Sequence, residues 1–175
     1  NIGILQKIEK VPQIMSLVKN KNIYFHIIGM GPKKDELVEN ISKYNVVQNV
    51  LYHGAINRAD SASFVKGADV VYLSLENSNY VGKTIPNKLM MYLALGKPVL
   101  GVVDGDAKEL LTRCDGGFIS DENMDNVAKT IENLVNVSKD ELALKGNKNK
   151  TLYEKEFSLE KISKKIEKEL LENSR

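Results

Sequence analysis

Short apolar runs alternate with stretches of helical periodicity along most of the chain, and this alternation limits the fold more than any other feature. Ile23-Tyr24-Phe25-His26-Ile27-Ile28, Val50-Leu51-Tyr52, residues 69–75, residues 98–103 and Gly117-Phe118-Ile119 all read as strands. Most of them are continuous apolar runs, as expected of strands buried on both faces. Between them lie helical stretches near residues 32–43, 60–66, 86–95 and 107–113. A first helical pattern covers residues 5–19, with Pro12 marking its start or a kink. Helices at 124–135, 139–148 and 157–172 close the chain. The connections are short, so the expected fold is α/β: a Rossmann-like doubly wound parallel sheet with flanking helices. Residues 1–175 form a single domain in this reading, with 157–172 an amphipathic packing helix.

Composition agrees with a globular chain. Apolar residues make up 42% and charged residues 27%, and the net charge of +2 gives no reason to expect nucleic acid as a partner. No apolar run approaches the ~20 residues that span a bilayer. The single cysteine, Cys114, rules out an internal disulfide and a cysteine metal cluster, and His26 and His53 are too few for a histidine-rich one. No metal site is expected, and a reducing, cytoplasmic setting suits this cysteine usage. The chain opens at Asn1 and enters a helical pattern almost at once, so it reads as a piece of a longer polypeptide.

In a doubly wound sheet, ligands bind beyond the carboxyl ends of the strands. The loops that fall there are residues 29–34, 53–57, 76–88 and 103–106. Three of the four carry glycine followed by a helix start, a local chemistry suited to anions. The stretch from Thr84 to Leu100 is the most specific. Pro86 suits the first helical position, Gly96 the left-handed stop, and Pro98 blocks continuation. Lys88 then falls in the first turn, where a cation opposes the helix dipole at a cost of about 0.3–1 kcal/mol. A phosphate on the helix N-terminus would reverse that cost. A solvated surface lysine is the competing reading.

Other motifs have plainer readings. Gly29-Met30-Gly31-Pro32 lacks the third glycine of a dinucleotide fingerprint, since Lys34 stands there, and it reads as a tight turn whose backbone can be approached closely. Asp35 and Glu36 nearly cancel Lys33 and Lys34. His53-Gly54-Ala55-Ile56 ends a strand where a planar base could lie, with His53 more a packing residue than a catalyst and His26 structural. Cys114 reads as an inert thiol, and Tyr80 and Tyr92 as packing groups. Glu76, Asn77 and Asn79 either hydrogen-bond a polyol or solvate a loop. No Ser-His-Asp set or paired acid/base carboxylates are found.

These residues together resemble a known family. Phe25 to Leu37 is similar to the "F-x-I-x-G-x-G-P-x-x-x-x-L" segment of retaining GT-B glycosyltransferases of family 4. Asn49-Val50-Leu51-Tyr52-His53-Gly54 resembles that family's "N-V-x-F-x-G", and Ala68-Asp69-Val70 its "A-D-V". Ile85-Pro86-Asn87-Lys88 through Gly96-Lys97-Pro98-Val99 resembles its "I-P-S-K-x-x-E-Y-x-A-x-G-K-P-V". Gly105, Leu110-Leu111 and Gly117 continue the match, and Asn1-Ile2-Gly3 with Gln6 resembles a "G-N-I-G-x-x-Q" opening. The resemblance implies the C-terminal, donor-binding half of a GT-B enzyme that transfers a sugar from a nucleotide diphosphate sugar, UDP- or GDP-linked, in surface polysaccharide biosynthesis. No other cofactor is implied.

The resemblance also implies roles for residues. Base and ribose would lie against Gly29, Gly31, Gly54, Ala55 and Ile56. The diphosphate would meet Thr84, Pro86, Asn87 and the helix N-terminus, with Lys88 as the catalytic group that stabilises the leaving nucleotide diphosphate. A missing N-terminal domain would hold the acceptor and could bring the protein to the inner face of the membrane, and this piece alone would be inactive. The chain departs from the family's Glu-x7-Glu pair, with Lys83 and Met91 at the two positions. Met91 cannot hold ribose hydroxyls as a glutamate does, which leaves open a non-catalytic nucleotide-sugar-binding or interaction module. A sugar-nucleotide epimerase is disfavoured because its acid/base carboxylates cannot be placed.

Overall fold

The computed structural model describes residues 1–77 and 84–173. A 3₁₀ turn, Ile8–Lys10, leads into α1 (Val11–Leu17), with Pro12 inside its first turn. There follow β1 (Phe25–Ile27), α2 (Lys34–Lys43), β2 (Val50–Tyr52), α3 (Arg58–Gly67) and β3 (Val71–Ser74). The second half continues through α4 (Asn87–Ala94), β4 (Val99–Val102), α5 (Gly105–Cys114) and β5 (Gly117–Ile119). It closes with α6 (Met124–Leu134), α7 (Lys139–Leu152), a π turn (Tyr153–Phe157) and α8 (Leu159–Asn173). Each expected strand and helix of the described residues is present, with ends shifted by a few residues.

Among the described residues all strand pairs are parallel, and helices pack on the sheets through two core clusters. One core cluster joins α1, α2 and α6 to Ile27, Val50, Leu100 and Val102; the other joins α4 and α5 to Val71, Leu73 and Val99. The single sheet expected from the alternation occurs as two ladders, β1-β2 and β3-β4-β5. They share a core nevertheless, because the first cluster takes side chains from both. At the seam between them, Phe25 and Tyr72 meet edge to face at 5.2 Å.

The helix ends follow from local chemistry. Asn57, Asn123 and Ser138 cap α3, α6 and α7 by accepting backbone N–H bonds in the first turn. Gly96 takes the left-handed stop after α4, with φ +63°. Pro86 sits one residue earlier than expected, as the extended N-cap of α4 with φ −74° and ψ 146°, so that Asn87 is the first helical residue and Lys88 the second.

Asp115 follows α5 with φ +50° and pairs with both Lys145 and Lys148 at 2.7 Å. Hydrogen bonds from these two lysines hold its carboxyl down to about 2 from 3.8. A depressed carboxylate stabilises the fold above its unfolded pKa, and that contribution is lost as pH falls through the folded value. Asp115 is 61% exposed, so solvent screening keeps the gain under about 1 kcal/mol. The difference in urea midpoint between wild type and Asp115→Asn is therefore expected to be largest above pH 4 and to vanish toward pH 2. A difference independent of pH would refute the ion-pair account.

The last helix departs from expectation. The sequence pattern over residues 157–172 predicts a packing helix, yet in α8 Leu159 is 81% exposed and Ile162, Ile166, Leu170 and Leu171 are exposed with it. Its amphipathic pattern is real, but within the described residues neither core cluster takes a side chain from it.

Candidate functional site

The opening segment, residues 1–6, runs across the carboxyl ends of the strands and ties the candidate loops together. The Ile2 N–H donates to the Met30 carbonyl at 2.9 Å, and the Lys33 N–H donates to the Ile2 carbonyl at 3.0 Å. Further along, the Glu76 N–H donates to the Leu5 carbonyl at 2.8 Å. The Ser74 hydroxyl donates to the carbonyl of Gln6. The loops after β1 and β3 are thus held to one strap of backbone.

Two glycines at this end are called for by backbone conformation. Gly29 has φ +131° and donates its N–H to the Gly54 carbonyl at 2.8 Å, while Gly54 itself has φ +71°. Both conformations exclude most side chains. A Cβ on Gly54 would meet no atom within 4 Å, so this glycine borders open space. Gly31 behaves differently from the expected ligand approach: a Cβ there would run into the Ile2 carbonyl. The backbone that comes close to Gly31 is the chain's own opening segment. Gly31→Ala is expected to push residues 1–3 away at a cost of about 1–3 kcal/mol and to speed amide exchange at Ile2 and Lys33. Unchanged exchange at both amides would show that the strap does not depend on this glycine.

The α4 N-terminus reaches the same place. Leu89 and Leu93 are fully buried and fix the helix against β3 and α7, each contributing about 1.5–3 kcal/mol by burial. This presents Lys88, half-buried, toward Asn1, whose carbonyl accepts from the ammonium at 3.5 Å. That distance makes a weak bond. α4 has no acidic residue in its first turn, and among the described residues Lys88 has no carboxylate partner. The cation therefore stands against the helix dipole, at a cost of about 0.3–1 kcal/mol.

Gly29, Gly31, Gly54 and Lys88 therefore come together, linked through Asn1 and Ile2. Ala55 and Asn87 are exposed beside them in sequence, as is Thr84, while Ile56, Pro86 and Met91 are half-buried. Met91 lies three residues after Lys88, on the same side of α4. Lys83, Asn79 and Tyr80 lie outside the described residues. Glu76 pairs with Lys7 at 2.8 Å, and Asn77 donates its N–H to Glu122 at 2.7 Å, so both are engaged within the protein.

The bland readings hold at several positions. Lys33 pairs with Glu36 at 2.5 Å and Lys34 with Asp35 at 3.2 Å. Burial raises the Tyr92 hydroxyl and the Cys114 thiol above their ordinary values, as expected of packing groups. His26 and His53 bring a surprise, since their rings stack with an interplanar angle of 2° and Nδ1 of His26 lies 2.9 Å from Nε2 of His53. Their partnership follows from the parallel register, in which His26 stands beside Leu51 and His53 lies two residues further on the same face. Sequence reading missed residues 1–7 as part of the site, although Gly3 and the need for glycine at Gly31 hint at a close backbone crossing.

Comparison with known proteins gives the family and the fold. Residues 3–151 match the family described as glycosyl transferases group 1. Over 111 residues the chain is 30% identical to a probable glycosyltransferase, WbjE of Pseudomonas aeruginosa, covering 62% of this chain and 26% of that protein. Among solved structures, Anabaena HepE in complex with UDP superposes with a TM-score of 0.78 at 18% identity, over 95% of this chain and 45% of that one. TarM of S. aureus, crystallised with Fondaparinux, alpha-GlcNAc-glycerol and UDP, gives 0.74 at 21% identity, over 92% and 32%. Sucrose-phosphate synthase of Thermosynechococcus elongatus gives 0.76 at 15% identity, over 95% and 42%. The chain spans less than half the length of each of these proteins. The structural likenesses carry the fold.

Proposed function

Because the chain belongs to the glycosyl transferases group 1 family, we propose that it is the donor-binding half of a retaining, family 4-like glycosyltransferase that takes its sugar from a UDP-sugar. The observation that carries the reading is Lys88. It stands on the first turn of α4 without a carboxylate partner among the described residues, and Asn1 links it to Gly29, which in turn bonds Gly54. The complexes of HepE with UDP and with UDP-glucose favour a uridine nucleotide over GDP.

In this proposal the uracil and ribose lie in the open space at Gly54, Ala55 and Ile56, with Gly29 and Gly31 forming the wall. The diphosphate meets the N–H groups at Asn87 and Lys88, with Thr84 and Pro86 at the rim. As the glycosidic bond to the leaving UDP breaks, negative charge grows on the β-phosphate. Fixed helix N–H groups and the Lys88 ammonium stabilise that charge, and no proton need move. The acceptor is held by a second domain, a surface glycan of the cell is the product, and the reaction takes place on the cytoplasmic side of a membrane.

Calorimetric titration of UDP, GDP and ADP tests this. UDP is expected to bind most tightly, and binding of none of the three at millimolar concentration would favour a non-catalytic interaction module. Met91→Glu gives a sharper check, since a carboxylate at this position would accept from the ribose hydroxyls. One charged hydrogen bond is worth about 1.5–3 kcal/mol, so UDP should bind at least about tenfold more tightly. An unchanged affinity would remove Met91 from the ribose site.

A further inference from the structure

Tyr52 belongs to two environments at once. Its ring packs against the first core cluster from the end of β2, beside Ile27 in the parallel register. Its hydroxyl leaves the core and reaches the loop after β1, where it donates to the Gly29 carbonyl at 2.9 Å. The same oxygen lies 3.2 Å from the Met30 sulfur. A hydroxyl carries one proton, so the carbonyl and the thioether share it. The family motif that residues 49–54 resemble has phenylalanine at this position, and the hydroxyl departs from that pattern.

These contacts complete the anchoring of the loop. The Gly29 N–H donates to the Gly54 carbonyl at 2.8 Å, the Met30 carbonyl accepts from Ile2 at 2.9 Å, and the Gly31 carbonyl accepts from Lys34 at 3.1 Å. Every carbonyl of residues 29–31 is thus engaged within the protein. Met30 is the one side chain between the two glycines, and it is 50% exposed. An exposed methionine ordinarily moves through many rotamers, since it has three rotatable bonds. Here part of that side-chain entropy is given up before any ligand arrives. The result is a preset apolar surface on a fixed loop.

That surface borders the open space at Gly54, where an added Cβ would meet no atom within 4 Å. Met30 follows Gly29, which bonds Gly54, and its sulfur touches Tyr52, which stands two residues before Gly54. A flat ring entering the space meets a polarisable sulfur, and thioethers make favourable contacts with aromatic rings. Because the loop's carbonyls are engaged, this contact reads the presence of a ring and not the hydrogen-bond pattern on its edge.

Resting on the donor-site reading above, we propose that Met30 is the residue against which the base of the nucleotide packs, and that Tyr52 is the positioning residue that presets it. The sulfur meets the ring, and the Tyr52 hydroxyl holds the sulfur and the Gly29 carbonyl in place. The contact belongs to the nucleoside half of the ligand, whereas Lys88 acts on the phosphates.

NMR of protein labelled at its five methionine methyl groups, assigned by substitution, tests this. With uridine, cross-relaxation is expected between the Met30 methyl and the uracil H5 and H6 protons. Ribose 5-phosphate, which has no base, is expected to leave the Met30 signal in place. Met30→Ala should weaken uridine and UDP by the same factor, about two- to tenfold. It should leave the urea midpoint unchanged, since the side chain is half exposed. Tyr52→Phe removes the hydroxyl alone. In the free protein it should move the Met30 methyl signal toward that of an unstructured methionine, a change that lost packing in the core would not produce. It should weaken uridine by less than Met30→Ala does, and the double variant should lose less than the two single losses combined. Contacts from a methyl other than Met30, or equal affinities in wild type and Met30→Ala, would overturn the inference while UDP binding itself upheld the donor site. Failure of the wild type to bind either UDP or uridine would instead sink both.

Discussion

Lys88→Ala is expected to weaken UDP binding by roughly 10- to 150-fold, the loss of one charge-assisted contact of about 1.5–3 kcal/mol, while leaving uridine binding nearly unchanged. The asymmetry is the point of the experiment. Lys88 projects from the first turn of α4, and its recorded hydrogen bond is the 3.5 Å contact to the Asn1 carbonyl. A nucleoside without phosphate offers the ammonium nothing. UDP brings two phosphates to a helix N-terminus that has no acidic side chain in its first turn. The UDP affinity of the wild type should also fall with added salt more steeply than that of the variant, since the wild type alone has the Lys88 ammonium whose attraction to phosphate salt screens. Equal losses for UDP and uridine would mean that Lys88 acts by holding the Asn1 segment, and the phosphate contact would be refuted.

How much of this was legible in the sequence depends on the range of the interaction. Strand and helix identity is local, and the apolar runs at Phe25–Ile27, Val71–Ser74 and Val99–Val102 declared themselves through composition. Gly96 was legible because a left-handed stop before Pro98 leaves few residue types to choose from. The convergence of Gly29, Gly54 and Lys88 was readable at the level of loops, since parallel strands put their following turns on one edge. What escaped was pairwise. Nothing local in His26 or His53 announces a partner 27 residues away. Gly31 reads as a glycine that leaves room, but the sequence does not say that Ile2 fills it. α8 shows the limit of periodicity: the pattern of Leu159, Ile162, Ile166 and Leu170 predicts a helix with an apolar face, and the face is exposed here. Periodicity gives the stripe and is silent on what covers it.

Asn149 illustrates the same limit with the largest expected effect on stability. By its residue type it belongs on the surface of α7, yet it is fully buried. Its amide donates to the Lys97 carbonyl and to the Gly116 carbonyl, each at 2.7 Å, and its Oδ1 accepts from the Cys114 thiol at 3.2 Å. One side chain thereby joins the turn after α4 to the turn after α5. The surrounding glycines fit this arrangement: a Cβ on Gly116 would occupy the Asn149 amide, and one on Gly146 would collide with the Gly96 carbonyl. In Asn149→Ala the Lys97 carbonyl loses its recorded partner. The Gly116 carbonyl keeps only the Val99 N–H at 3.2 Å. Burying an unsatisfied acceptor costs about 1–3 kcal/mol, and the small cavity adds to it, so a loss of about 2–4 kcal/mol is expected in urea unfolding. Asn149→Asp separates the causes, since it keeps the shape but replaces the donor with an acceptor facing two carbonyls. It should be at least as destabilising at neutral pH and partly recover as acid protonates it. If both variants unfold like wild type, the two turns are held by packing alone, and α7 has no part in setting the start of β4 or β5.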